Sequence, residues 1–381
     1  MHAQRHAALM LGAFLVASAP PAAAQDAATA AQTGESVIRL EVVRAELTAL
    51  AHDSMEGRAT GTEGARRAAR YIAGLMRQIG LEPAGDDGYL QRVPLARPDP
   101  AAAGSGRGGR GGRMTVLSGM SALDTIPAER RVIDANVVGV IRGSDPALRA
   151  EAVVVGAHYD HTGIGRPVDG DSIYNGADDD ASGVIAVLEI ARALAAGPAP
   201  KRTVLFVAFT GEERGLLGTN YYLANPVIPL DRTVAQLQIE MIGRPDSLAG
   251  GAGKGWLTGY ERSTMGDVLR DHGIPIVPDP RPEQSFFTRS DNIAFAYAGI
   301  PAHTLSSFNL HDDYHRPSDE VSGVDFEHMT EVIRAAARAV RLLADGARPA
   351  WHEGGRPERN GRGRGSGSGI DGNGSGSGER G

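Results

Sequence analysis

Two short runs, EAVVVGA at 151–157 and RTVLFVAF at 202–209, contain almost no polar side chain. A strand with one wet face alternates apolar and polar residues, so runs this continuous predict strands covered on both faces. Between them, ASGVIAVLEIARALAAG places Val184, Val187, Leu188, Ala191 and Leu194 at helical spacing. TVAQLQIE and IPAHTLS are further strand candidates. DFEHMTEVIRAAARAVRLLAD reads as a closing helix, with Ser322 as its expected N-cap. Helical patterns also cover 37–51 and 63–80, the second closed by Gly80, with the glycine-broken loop DSMEGRATGTEG between them. This alternation predicts an α/β sandwich with a largely parallel central sheet.

With 381 residues, 41% of them hydrophobic, the chain can bury a full core. A net charge of −7 argues against nucleic acid as the main partner. No apolar window of about 18 residues interrupts the body. The opening residues combine the positive MHAQRH, the apolar AALMLGAFLVASA and the small-residue PPAAAQ. That layout predicts a signal peptide at 1–24, export to the periplasm or medium, and no membrane span after cleavage. There is no cysteine, so an exported chain must rely on its core rather than disulfides. A metal would be held by histidine and carboxylate. The basic, low-complexity stretch at 98–113 reads as a surface insertion and the Gly/Ser/Arg-rich 350–381 as a tail, leaving 36–348 as the folded domain.

Chemistry gathers after each apolar run. EAVVVGA is followed by His158, Asp160 and His161; the next loop holds Asp178, Asp179 and Asp180; RTVLFVAFT leads into Glu212 and Glu213; AQLQIE ends on Glu240; and IPAHTLS precedes His311, Asp312, Asp313 and His315. Each motif has an ordinary reading as a cap, a surface turn or a paired core histidine. Their conjunction does not. In open α/β sheets the carboxyl ends of the strands form the ligand crevice, and like charges gathered there repel unless a cation offsets them. Histidine and carboxylate donors suit zinc, and less selectively cobalt or manganese. The donors exceed what one tetrahedral ion with an open position takes, and suit two ions sharing a carboxylate and a hydroxide. GEERG then offers one glutamate to a metal and its neighbour as a base.

The stretches DSMEGRATGTEG, VVVGAHYDHTG, NGADDDASGVIAVLEIAR, RTVLFVAFTGEERGLLGT, QIEMIG, RSDNIAFAYAGIPA and YHRPSDE resemble, in order and spacing, the secreted di-zinc aminopeptidases, whose wider family includes glutamate carboxypeptidase and glutaminyl cyclase. The resemblance implies a three-layer α/β/α sandwich with a mixed, mostly parallel sheet, of zinc-exopeptidase type. It implies two Zn²⁺ per chain acting on peptide N-termini. His158 and Glu240 would hold one zinc, Glu213 and His315 the other, and Asp179 would bridge them. Glu212 would be the general base toward a bridging water. Asp160 would orient the His158 imidazole, Tyr314 would stabilise the oxyanion, and Arg289 would lie near the substrate's amine end. His161, His303 and His311 are expected to be lining or core residues, and Asp178 and Asp180 to add charge. The interval before His158 is too short for the protease-associated insert of some relatives. Other readings are a carboxypeptidase, which needs clustered arginines; a glutaminyl cyclase, which uses one zinc; and a non-catalytic binding module on the same fold.

Overall fold

The structure, a computed structural model, describes residues 34–99 and 113–358. The expected leader at 1–24, most of the 98–113 insertion and most of the 350–381 tail lie outside the described residues.

The strands are β1 (Glu82–Pro83), β2 (Leu90–Ala96), β3 (Thr115–Val116), β4 (Arg131–Ile141), β5 (Ala152–His158), β6 (Gly163–Val168), β7 (Asp171–Tyr174), β8 (Thr203–Phe209), β9 (Thr233–Ile239), β10 (Gly255–Leu257), β11 (Ile276–Pro278) and β12 (Ala302–Ser306). The helices are α1 (Leu40–Leu50), α2 (Glu63–Ile79), α3 (Gly183–Ala196), α4 (Leu217–Ala224), α5 (Thr264–Asp271), α6 (Asn292–Tyr297) and α7 (Phe326–Asp345). One sheet runs in the order β11-β10-β12-β9-β5-β8-β4-β2-β3, and β1 pairs with β4. Its centre, β12-β9-β5-β8, is parallel, as the apolar runs predict. Beyond β8 the flank turns antiparallel through β4 and β2.

Alternation within the apolar strands separates two cores. Val153, Val155 and Ala157 of β5 and Val204, Phe206 and Ala208 of β8 point to one face, packed by α1, α2, α3, α5 and α7. Ala152, Val154, Leu205, Val207 and Phe209 point to the other, against α4 and α6. Each fully buried aliphatic or aromatic side chain contributes about 1.5–3 kcal/mol, so both layers are held by the same few strands. Helix α3 is buried nearly all round, because α1, α2 and α7 cover the side that a surface helix leaves wet. Its Glu189 is tied to Arg192 at 2.7 Å.

Strand β5 pairs with β8 on one side and β9 on the other. The chain therefore leaves β5 in one direction, returns past it and continues in the other. This is a topological switch point, where open α/β sheets form their crevice, and His158 stands at its end.

Two local expectations are corrected. Ser322 does not cap α7: it lies in the short turn Val321–Gly323, and the Asp325 side chain accepts the N–H of His328. The tail boundary also moves, because contacts with the body continue from Ala350 to Arg356. Trp351 donates its indole N–H to Gly299 O at 3.0 Å, and the His352 N–H reaches Arg262 O at 2.9 Å. Asp325→Ala is expected to lower stability by about 1 kcal/mol, whereas Ser322→Ala stays within about 0.5 kcal/mol of the parent. Urea unfolding of the two variants checks the assignment, and equal effects would refute it.

Candidate metal centre

Each central strand delivers part of the site. β5 ends on His158, β8 leads into Glu212 and Glu213, β9 into Glu240, and the loop after β12 carries Tyr314 and His315. Asp179 comes from an irregular helical segment, Ala177–Ser182, that leads into α3.

Asp179 faces two ways. Its Oδ1 lies 3.3 Å from His158 Nε2, whose other neighbour is Glu240 Oε1 at 3.2 Å. Its Oδ2 lies 3.1 Å from His315 Nε2 and 3.7 Å from His161 Nδ1. Glu213 Oε1 is 3.0 Å from His161 Nδ1 and 3.1 Å from His315 Nε2. The donors thus form two clusters sharing Asp179: His158–Asp179–Glu240 and His161–Asp179–Glu213–His315. All five expected ligands are brought together, and His161, expected only to line the site, joins them.

The second cluster fits a cation. Among the described residues, Asp179 Oδ2, Glu213 Oε1 and both ring nitrogens of His161 are buried with no hydrogen-bond partner. Leaving buried polar atoms so is costly. Close approach without hydrogen-bond alignment is what lone pairs aimed at a common point produce. Donors held 2.0–2.2 Å from a tetrahedral ion lie about 3.3–3.6 Å apart, the scale of the spacings above.

The neighbouring acids brace rather than ligate. Asp180 accepts the N–H groups of His158 (3.2 Å), Gly183 (3.0 Å) and Met241 (3.1 Å), tying three segments of the site together. Asp178 accepts the N–H of Gly243 at 2.7 Å and faces His311 Nε2 at 3.0 Å. Asp319 accepts the N–H groups of Asp178 and Asp179, each at 3.0 Å. The expected role of Asp160 also changes. Its backbone carbonyl, not its carboxylate, sits 3.0 Å from His158 Nδ1. The carboxylate Oδ1 is 3.8 Å from that nitrogen and instead accepts the Glu212 N–H at 3.0 Å, while Oδ2 accepts from Thr60 Oγ1 at 2.9 Å.

Arg58, from the loop DSMEGRATGTEG, is wholly buried. Its guanidinium donates to four carbonyls: Tyr159 O at 2.7 Å, Leu50 O at 3.1 Å, Asn175 O at 2.6 Å and Gly176 O at 2.9 Å. Burial lowers its pKa to about 10, opposed by Asp319, Asp179, Asp180 and Asp160, so it stays a cation at neutral pH. It fixes the backbone on both sides of the donor set. A basic residue in a glycine-rich loop reads as solvated, so its spacing gives no sign of this.

Burial pushes Asp179 up, but the imidazoles of His161, His158 and His315 outweigh it and hold the carboxyl well below its usual range. Burial likewise raises Glu213, and Asp179 adds to that, yet His161 and His315 bring it down to about 2. His315 is lowered by burial but carried up to about 10 by Asp179 and Glu213. The His315 imidazole thus holds a proton that a bound metal would displace. Among the described residues no imidazole is hydrogen-bonded to the Glu212 carboxylate. Burial holds it well above the carboxylate range, and Glu240, Glu213 and Asp291 add to this against His158.

A cleft opens beside Glu240, lined by Met241, Trp256, Phe286, Phe308, Tyr314 and Arg289. Tyr314 stacks on His315, with ring centroids 3.9 Å apart. Arg289 lies over the Phe286 ring at 5.0 Å. His303 is a core residue, bonded to Ser263 Oγ and Thr258 O, each at 2.7 Å.

The profile of peptidase family M28 matches residues 136–340. Among curated proteins, the chain is 29% identical to the probable leucine aminopeptidase 2 of Aspergillus fumigatus over 235 residues, 55% of this chain and 44% of that one. It is 28% identical to leucine aminopeptidase 1 of Trichophyton equinum over 236 residues, 58% and 60% of the two chains. It is 36% identical to a probable zinc metalloprotease of Pyrenophora teres f. teres over 135 residues, 35% and 28% of the two. The matches thus span between 28% and 60% of the length of these curated relatives. The fold is shared with an aminopeptidase from Aneurinibacillus sp. strain AM-1, at TM-score 0.57 and 17% identity over 83% of this chain and 96% of that one. It is shared equally with BSAP, a zinc aminopeptidase from Bacillus subtilis, at TM-score 0.59 and 17% identity over 81% and 96%.

If Asp179 serves both clusters, Asp179→Asn is expected to lose most zinc binding at both. Asp178→Asn, whose side chain meets the Gly243 N–H, Ser182 Oγ and His311, should keep it. Elemental analysis after dialysis against buffered zinc decides, and equal zinc content in the two variants would show that Asp179 is not shared.

Proposed function

The chain belongs to peptidase family M28, and from that premise we propose that it is a zinc-dependent aminopeptidase holding two zinc ions. The observation that carries this reading is Asp179, with one carboxylate oxygen in each of two donor clusters. His158 and Glu240 complete one, and Glu213 and His315 are the expected donors of the other. When bound, a zinc pair lowers the pKa of a water toward neutrality and polarises the scissile carbonyl.

Cations held beside it would favour the ionised form of Glu212 against its burial, and the carboxylate then takes the proton of the attacking water and passes it to the leaving amine. Asp160 holds Glu212 in place through its backbone N–H. Burial, and then Asp179 and Glu213, keep the Tyr314 hydroxyl protonated, so it is a donor for the oxyanion. A free α-amine is recognised by the acidic side of the cleft, at Glu212 and Glu240. Arg289 would repel an ammonium, so it suits the carbonyl side of the substrate rather than the amine end. The leader-like opening supports export to the periplasm or medium, with peptide N-termini as substrates. Two complete clusters and an intact Glu212 favour a peptidase over a one-zinc cyclase or a binding module. Arg289 is the one observation that favours a carboxypeptidase, since a guanidinium in the cleft could hold a terminal carboxylate.

Glu212→Gln is expected to keep both zinc ions and lose about 10²–10⁴-fold in kcat, read by metal analysis beside kinetics; activity within a few-fold of the parent would refute the assignment. Blocking the substrate amine separates the two exopeptidases. An N-acetylated peptide should be cleaved about 10⁴-fold more slowly than its free-amine twin, with residues lost in order from the N-terminus in timed mass spectra. Shortening from the C-terminus would establish the carboxypeptidase instead.

A further inference from the structure

We propose that His161 is itself a metal ligand, which makes the two zinc sites unequal: four protein donors on one side and three on the other. The inference rests on the two-zinc reading above and adds a residue to it. His161 is buried and wedged. A Cβ at Gly176 would stand 2.7 Å from its ring carbons, so only glycine leaves room for the ring there. The His315 ring meets it edge-on, with centroids 5.5 Å apart. In this position Nδ1 points at Glu213 Oε1 and Asp179 Oδ2, 3.0 and 3.7 Å away.

Other buried imidazoles of this fold show what a structural histidine looks like here. His303 bonds through both nitrogens, each at 2.7 Å. His328 accepts from Gly253 N and meets Ser307 Oγ, each at 2.9 Å. His311 keeps one such contact, to Asp178. Among the described residues His161 has none on either nitrogen, and the two oxygens it faces also lack partners. A core imidazole left this way forfeits its hydrogen bonds with nothing in return. One cation between these atoms, with His315 as the fourth donor, satisfies Nδ1 and both oxygens together.

The consequence is a division of labour. Four protein donors fill the tetrahedral complement of zinc, as in closed sites, whereas three leave a position open. His161, Asp179, Glu213 and His315 therefore form the tight anchoring site. His158, Asp179 and Glu240 form the open one, beside the Tyr314 cleft.

The test uses the full-length, ¹⁵N-labelled protein, stripped of metal and loaded with ¹¹³Cd. Two cadmium resonances are expected, with three histidines showing ¹¹³Cd–¹⁵N coupling: His158, His315 and, through Nδ1, His161. Two resonances with only His158 and His315 coupled would overturn this inference and leave the two-metal reading standing. One resonance or none would overturn both. In parallel, His161→Gln should weaken one zinc ion at least about 10-fold and leave the other unchanged by calorimetric titration. A variant matching the parent at both sites counts against the proposal. Should the variant not fold, the cadmium spectrum of the parent protein decides alone.

Discussion

Asp179 must place one oxygen in each donor cluster, and much of the surrounding structure exists to hold it there. Its N–H is fixed by Asp319, the segment before it by Arg58, and the segment after it by the hydrogen bonds of Asp180 to His158, Gly183 and Met241. A shared carboxylate is useful only while both sides stay in place, because a shift toward one cluster is a shift away from the other. The fold meets this by crossing sheet and loops with charge-assisted bonds, which are stronger than neutral ones. The acids that would otherwise repel Asp179 are occupied with backbone N–H groups.

The architecture was legible because burial leaves a plain mark. Val153, Val155 and Ala157 alternate with Ala152 and Val154 to feed two cores, so a strand this apolar could only be central. The resemblance implied a mixed sheet, but the place of its antiparallel flank was not legible: β4 carries Asp134 and Asn136 among its valines, and their hydrogen bonds to Tyr159, Thr210 and Gly218 are tertiary. The cap of α7 failed for a local reason, since Ser322 and Asp325 are both good caps and only the turn between them decides which is used.

The site was legible in part. Strand ends told where the acids and imidazoles would gather, and the family resemblance told which of three adjacent aspartates is shared. Direction was not legible. His161 follows His158 by three residues, but past the strand end no periodicity fixes where a side chain points, and only the wedge against Gly176 does so. Asp160 shows the same limit: its neighbourhood to His158 was right, while its carboxylate turned toward Glu212. Arg58 was hidden most completely, since its partners are carbonyls more than a hundred residues away as well as near ones.

That reach has a consequence for how the centre comes into being. The donors lie between residues 158 and 315, but the cation that fixes their backbone lies at 58. A chain begun after Gly61 would retain every donor atom and still lack the fork that joins the turn after β5 to the turn before α3. The centre is thus a property of the assembled domain and of no excised segment. Metal affinity would then report on whether the loop that carries Arg58 has docked.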